Sequence, residues 1–268
     1  MSQRIDAALV SRGLSPSREQ ASRLIRAGQV TINGTPVKKP SEKADESDVL
    51  AVVGSVCPFV SRGGLKLQRA LEVFPVELDG KTCADIGAST GGFTDCMLQA
   101  GAKKVYAIDV GTGQLHPSLL SDPRVVNMEK TNIRFLSPDT FEPVSFVSTD
   151  VSFISLSHVL PVIAGILAPG GQAVALVKPQ FEAGKENVGK KGVVRDPKIH
   201  LQVLRQVQRY ASESSLTVQA ADYSPVRGPE GNIEYLYLLV HADEEHSGGV
   251  SDETLRRIIQ DAHETLSK

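Results

Sequence analysis

The chain has 268 residues, 29 Lys plus Arg against 31 Asp plus Glu, with 41% hydrophobic and 22% charged side chains. This is an ordinary soluble globular composition, long enough for one large domain or a medium domain with a small appendage. Uneven charge favours the appendage: residues 1–75 hold 11 basic and 7 acidic side chains, whereas residues 76–268 hold 18 basic and 24 acidic. Cys57, Cys83 and Cys96, with no C-x-x-C pair, fit neither a disulfide framework nor a thiolate zinc site. The opening MSQRIDAALVSRG lacks the apolar core of a signal peptide, so a reducing cytoplasm is the expected location.

In chain order, residues 4–28 read as two short helices. Ile5, Ala8 and Leu9 form one apolar stripe, and Ser15-Pro16-Ser17 breaks the chain before a second helix. That helix carries Ala21, Leu24 and Ile25 on one face and Arg18, Arg23 and Arg26 on another. Within Val30–Val37, Asn33-Gly34 supplies the positive φ angles of a tight hairpin. Lys38, Lys39 and Pro40 follow, and an acidic turn (Asp45, Glu46, Asp48) leads into a strand at Val49–Val53. The string SREQASRLIRAGQVTINGTPVKKPS resembles the S4 RNA-binding domain, over about residues 2–54. The resemblance implies a small α+β module that docks on structured RNA through Arg4, Arg18, Arg23, Arg26, Lys38 and Lys39.

From residue 79 strands and helices alternate, the signature of a parallel sheet covered on both faces. Strands are predicted at Thr82–Ile86, Lys104–Ile108, Val125–Met128, Ser145–Thr149, Gln172–Val177, Thr217–Tyr223 and Ile233–Val240. Helices are predicted at Gly92–Gln99, Ile154–Leu167, Lys198–Ser212 and Asp252–Thr265. Val151–Val177 has no Asp, Glu, Lys or Arg and is long enough to span a membrane. However, Pro161, Gly165 and Pro169-Gly170-Gly171 divide it into a buried helix and a buried strand, so no membrane segment is expected.

The first of these strands ends in DIGASTGGFT, Asp85 to Thr94, where small residues let the backbone approach a ligand closely. The D-x-G-x-x-x-G-G spacing differs from the dinucleotide fingerprint and is nearer the first motif of S-adenosylmethionine enzymes. Asp109 ends the second strand, where a carboxylate can accept hydrogen bonds from ribose hydroxyls. Asp150 and Lys178 end two further runs and Glu234 opens the last one. If the last strand lies antiparallel beside the fifth, all three meet at the carboxyl edge where open α/β sheets bind ligands. Leu65, Leu67, Ala70 and Leu71 of the preceding helix predict an apolar side, with Lys66 elsewhere on its circumference. The six histidines show no metal-binding spacing, so no metal is expected.

With VSRGGLKL, DIGASTGGFTD, DVGTGQL, TDVSFIS, LVKPQFE and GPEGNIEY spread along it, nearly the whole chain resembles the hemolysin A (TlyA) family. That resemblance implies an S4 domain (1–56), a linker (57–62) and an FtsJ-like methyltransferase domain (63–268). The second would be a Rossmann-like sheet with helices on both faces that uses S-adenosyl-L-methionine to methylate ribose 2′-hydroxyls of ribosomal RNA, free or in ribosomal subunits. It also implies a catalytic set of Lys66, Asp150, Lys178 and Glu234. Cofactor contacts would come from Asp85, Gly87, Ser89, Gly91, Asp109, Thr131 and Asn132. Where some relatives carry an Arg-x-Trp-Val linker, this chain has Cys57-Pro58-Phe59-Val60 and no tryptophan. An RNA-binding protein with an inactive methyltransferase domain and a membrane-active hemolysin are the competing expectations. A Gly- and Lys-rich loop from Lys178 to Asp196, with Lys185, Lys190, Lys191 and Arg195, reads either as a segment that closes over a backbone phosphate or as a merely solvated loop.

Overall fold

In the computed structural model, which describes residues 2–15, 17–26, 28–53, 57–242 and 249–266, Asn33 and Gly34 take φ of 51° and 80°. They turn the chain between β1 (Val30–Ile32) and β2 (Thr35–Pro36), and β3 (Leu50–Val52) pairs antiparallel with β1. Asn33 also locks the acidic turn, accepting from the Val49 N–H and donating to Asp48. Two helices, α1 (Ile5–Ser11) and α2 (Arg18–Arg26), bury Ile5, Leu9, Ala21, Leu24 and Ile25 against Val30, Val37 and Leu50.

These elements form the first of two compact units, Met1–Cys57; the second is Pro58–Lys268. In the first, buried Asp6 pairs with Arg4 at 2.9 Å and Arg18 at 3.3 Å. Its carboxyl is held down at about 2, chiefly by the Arg4 hydrogen bond. Two of the basic residues expected to face RNA therefore also serve the fold. Arg26, Lys38 and Lys39 are exposed and have no ion-pair partner among the described residues. The side chain of Arg23 lies outside the described residues.

The second unit begins with a packed segment instead of a free linker. Phe59 is buried, the Val60 N–H donates to Asp95, and the Pro58 carbonyl accepts from Gln99. Helix α3 (Gly63–Val73) follows, then β4 (Thr82–Ile86), α4 (Gly92–Gln99), β5 (Lys104–Ile108), β6 (Val125–Met128) and β7 (Val144–Thr149). The chain continues through α5 (Leu160–Ile166), β8 (Leu167–Val177), α6 (Pro197–Glu213), β9 (Leu216–Tyr223), β10 (Tyr235–His241) and α7 (Asp252–Leu266). The sheet order is β9-β10-β8-β7-β4-β5-β6, with β10 antiparallel to both of its neighbours and the β8-to-β6 pairings parallel. Val and Leu runs buried on both faces, such as Ala173–Val177 and Tyr235–Leu239, account for the central position of β8 and β10.

The expected single helix at Ile154–Leu167 is split. Ser155 caps a 3₁₀ turn at Leu156–His158, and α5 starts only where Pro161 can occupy its first turn without a donor. Likewise β8 begins earlier than expected: Leu167 already pairs with Val144, and the register shifts before Gln172. No helix among the described residues is long and apolar enough to cross a membrane.

Candidate active site

Parallel register brings Ile86, Ile108 and Thr149 level at one edge of the sheet, so Gly87, Asp109 and Asp150 leave it together. Gly87 has φ of 83°, and a Cβ there would stand 2.7 Å from the Asp150 carbonyl oxygen. Only glycine lets the turn pass this close. Beyond it lies a cleft of about 530 Å³ with Gly87, Ser89, Asp109, Thr131 and Asn132 in its walls, buried Ile86, Ile108 and Ile133 behind them, and exposed Val110 and Phe153 as apolar surface. Half-buried Asp109 accepts from the backbone N–H groups of Ser89 (2.8 Å) and Gly111 (2.7 Å). It is thus a clamp on two loops as well as an acceptor facing the cleft, since each carboxylate oxygen retains a lone pair.

Two expected cofactor contacts sit elsewhere. Asp85 has no exposed surface: it accepts hydroxyl hydrogen bonds from Thr94 (2.7 Å) and Ser148 (3.0 Å), joining β4 to α4 and β7. Burial pushes its carboxyl up to about 7. Gly91, with φ of 95°, faces Leu115 and Leu119, where a Cβ would collide. Its glycine is required by packing and turn geometry.

A second cleft, of about 310 Å³, shares Gly87, Ser89, Asp150 and Ser152 with the first and adds Arg62, Lys66 and Lys178. The register of β8 and β10 pairs Val177 with Tyr235, so the next residues, Lys178 and Glu234, enter the edge opposite one another. Asp150 lies between two ammonium groups: Oδ1 is 2.5 Å from Lys178 Nζ and Oδ2 is 3.3 Å from Lys66 Nζ. Lys66 Nζ also lies 2.7 Å from Glu234 Oε2, and Lys178 Nζ donates to Ser152 Oγ at 2.9 Å. Burial alone would lower the pKa of Lys66, but Asp150 and Glu234 outweigh it and raise it, so Lys66 remains a fixed cation.

Lys66 reaches this cluster from the buried face of α3, with Gly64, Leu67 and Ala70, while Leu65 and Leu71 are half-buried. The expected apolar side is corrected accordingly. The cause is close packing of α3 on α4: a Cβ on Gly92 would stand 2.8 Å from the Gly64 backbone nitrogen and 3.2 Å from the Gly63 Cα. Glu234 is 1% exposed and is absent from the walls of the second cleft, which it meets through its contact with Lys66. Sequence reasoning missed Ser152 and Gly228. The first lies within TDVSFIS; the second lies within GPEGNIEY, where a Cβ would stand 2.5 Å from Glu234 Oε1.

A parallel sheet with one reversed strand, bearing its clefts beyond a glycine turn, is the arrangement of the α/β methyltransferases. An FtsJ-like methyltransferase model matches residues 59–240 and an S4 domain model matches residues 3–50. The chain belongs to the FtsJ-like methyltransferase family. The 16S/23S rRNA (cytidine-2′-O)-methyltransferase TlyA of Mycobacterium tuberculosis is 45% identical over 261 residues, 96% of this chain and 97% of that protein. Hemolysin A of Brachyspira hyodysenteriae is 40% identical over 235 residues, 87% of this chain and 98% of that protein. A solved structure from Streptococcus thermophilus, named provisionally as a hemolysin, is 46% identical with a TM-score of 0.80, covering 99% of this chain and 97% of that one.

Proposed function

We propose that the protein transfers the methyl group of S-adenosyl-L-methionine to a ribose 2′-hydroxyl of ribosomal RNA, and that its S4 unit contributes RNA affinity. The observation that carries this reading is the Lys66-Asp150-Lys178-Glu234 cluster, joined by contacts of 2.5–3.3 Å, with Asp150 in the wall shared by two adjoining clefts and Lys66 and Lys178 lining the second. The first cleft fits the cofactor: glycine at position 87 lets the turn close against the Asp150 backbone, Asp109 offers acceptors for ribose hydroxyls, and Val110, Phe153 and Ile154 offer apolar surface for a flat base. When bound there, S-adenosyl-L-methionine supplies a methyl group already activated by its sulfonium.

What remains for the protein is to position the hydroxyl and remove its proton. In this reading Lys178 accepts that proton, Asp150 aligns Lys178, and Lys66 holds Asp150 and is itself held by Glu234. The direct test maps 2′-O-methyl marks on ribosomal RNA from cells with and without the gene, paired with methylation by the purified protein. Loss of specific marks is expected. Identical maps, with no transfer in vitro, would leave an RNA-binding protein with an inactive methyltransferase domain.

Two further results are expected. Asp109→Ala should weaken cofactor binding, read by calorimetry, and should also destabilise the fold by about 1–3 kcal/mol, because the N–H groups of Ser89 and Gly111 lose their acceptor. Unchanged cofactor affinity would remove Asp109 from the site. Charge reversal at Arg26, Lys38 and Lys39 should weaken RNA binding and flatten its log–log salt dependence by about 0.7–0.9 per lost phosphate contact. Retention of both affinity and slope would make these side chains solvated surface.

A further inference from the structure

Arg227 borders two cavities. It lines the second cleft with Lys66 and Lys178, and it also lines a separate cavity of about 190 Å³ whose walls include Arg195, Glu230 and His263. The side chain is exposed yet held in place, donating to the Gly231 carbonyl at 3.3 Å and to the carbonyl of Leu266 at the end of α7. A guanidinium has five N–H donors, so these two bonds leave donors to spare. Arg195 is exposed and has no ion-pair partner among the described residues. Its backbone is nevertheless fixed: the neighbouring Val194 donates its N–H to Asn232 and its carbonyl lies 3.0 Å from His200 Nε2. The same Asn232 donates to the Gly192 carbonyl, fastening the end of the basic loop to the segment that carries Glu234. Two guanidiniums on rigid backbone, one of them shared with the reacting cleft, form a path for an anionic chain leaving that cleft.

We propose that Arg227 and Arg195 hold a phosphodiester flanking the target nucleotide, so that the RNA strand leaves the second cleft across Arg227 and enters the Arg195 cavity. This rests on the ribosomal RNA reading above and extends it to the course of the strand. Arginine suits the task because its planar fork grips a phosphate through paired hydrogen bonds. Glu230, exposed in the same wall, opposes the phosphate and sets an effect of the opposite sign.

The test is methylation of ribosomal RNA by the full chain at a series of salt concentrations. Arg195→Ala and Arg227→Ala should each raise KM for RNA about tenfold. Each should also flatten the log–log salt slope by about 0.7–0.9, and in Arg195→Ala kcat and cofactor affinity should be unchanged. Arg195→Lys should restore the slope, and Glu230→Gln should lower KM. Arg227→Ala frees two carbonyls and can loosen α7, whereas Arg195 makes no such bonds among the described residues, so Arg195→Ala keeps the test decisive if the first variant folds poorly. Wild-type KM and slope in Arg195→Ala, while the parent protein methylates the same RNA, would overturn the proposal. A loss confined to kcat would do the same. A parent protein that methylates no ribosomal RNA would overturn the functional reading itself.

Discussion

Lys178→Ala is expected to reduce single-turnover methyl transfer by about 100- to 10,000-fold, the range typical of a positioned acid–base group. Cofactor and RNA affinity should change little, because Lys178 is held by Asp150, Ser152 and the ring of Phe181. An ammonium has three donors, and Asp150 and Ser152 leave the third for the second cleft. Lys66 cannot take this role: it touches both carboxylates and they hold it charged. One lysine is therefore a fixed cation, and in the proposed mechanism the other gives up a proton before it reacts. One measurement separates that mechanism from simple electrostatic anchoring. Lys178→Arg, which keeps the charge but cannot lose it at accessible pH, should be as inactive as Lys178→Ala. An arginine variant within tenfold of the parent would sink the base role and leave Lys178 as an orienting cation.

The sheet was legible because its strands are short apolar runs bounded by charges, and the residues at those boundaries are the ones that reach the site. Asp109, Asp150 and Lys178 each follow a strand end that the sequence marks. The unread features depend on what approaches from elsewhere in the chain. Asp85 lies inside its strand and Asp109 just beyond one, but what covers each comes from elsewhere in the chain: Thr94 and Ser148 enclose the first while the second faces a cleft. Lys66 reads as the polar side of an amphipathic helix. It is buried because glycines at 63, 64 and 92 let two helix ends meet, and that contact sets which face of α3 turns inward. The same limit applies to Arg4 and Arg18, whose pairing with buried Asp6 is invisible in a charge count. Patterns report which residues can be buried, and contacts over long sequence separation decide which are.

Glu234→Ala is expected to lower stability by about 3 kcal/mol, near the lower end of the range for breaking a buried ion pair. The lower end applies because Lys66, deprived of Glu234 at 2.7 Å, keeps Asp150 at 3.3 Å. For a domain of this size the loss corresponds to a fall in Tm of roughly 6–12 °C. Activity should fall as well, since Lys66, no longer anchored by Glu234, holds Asp150 less firmly. The stability and activity effects can be separated by removing both charges. Lys66→Met with Glu234→Leu replaces the pair by apolar side chains of similar size, and Asp150 still has Lys178 at 2.5 Å. Such replacements are commonly neutral or stabilising, because two desolvated charges recover in mutual attraction little more than they lose in hydration. The double variant should therefore melt near the parent protein while remaining inactive. Glu234→Gln should fall between, since its amide oxygen can still accept from Lys66 without the charge. If the double variant melted as low as Glu234→Ala, the pair would be a structural support for α3. If it melted near the parent and still methylated RNA, neither residue would belong to the reaction.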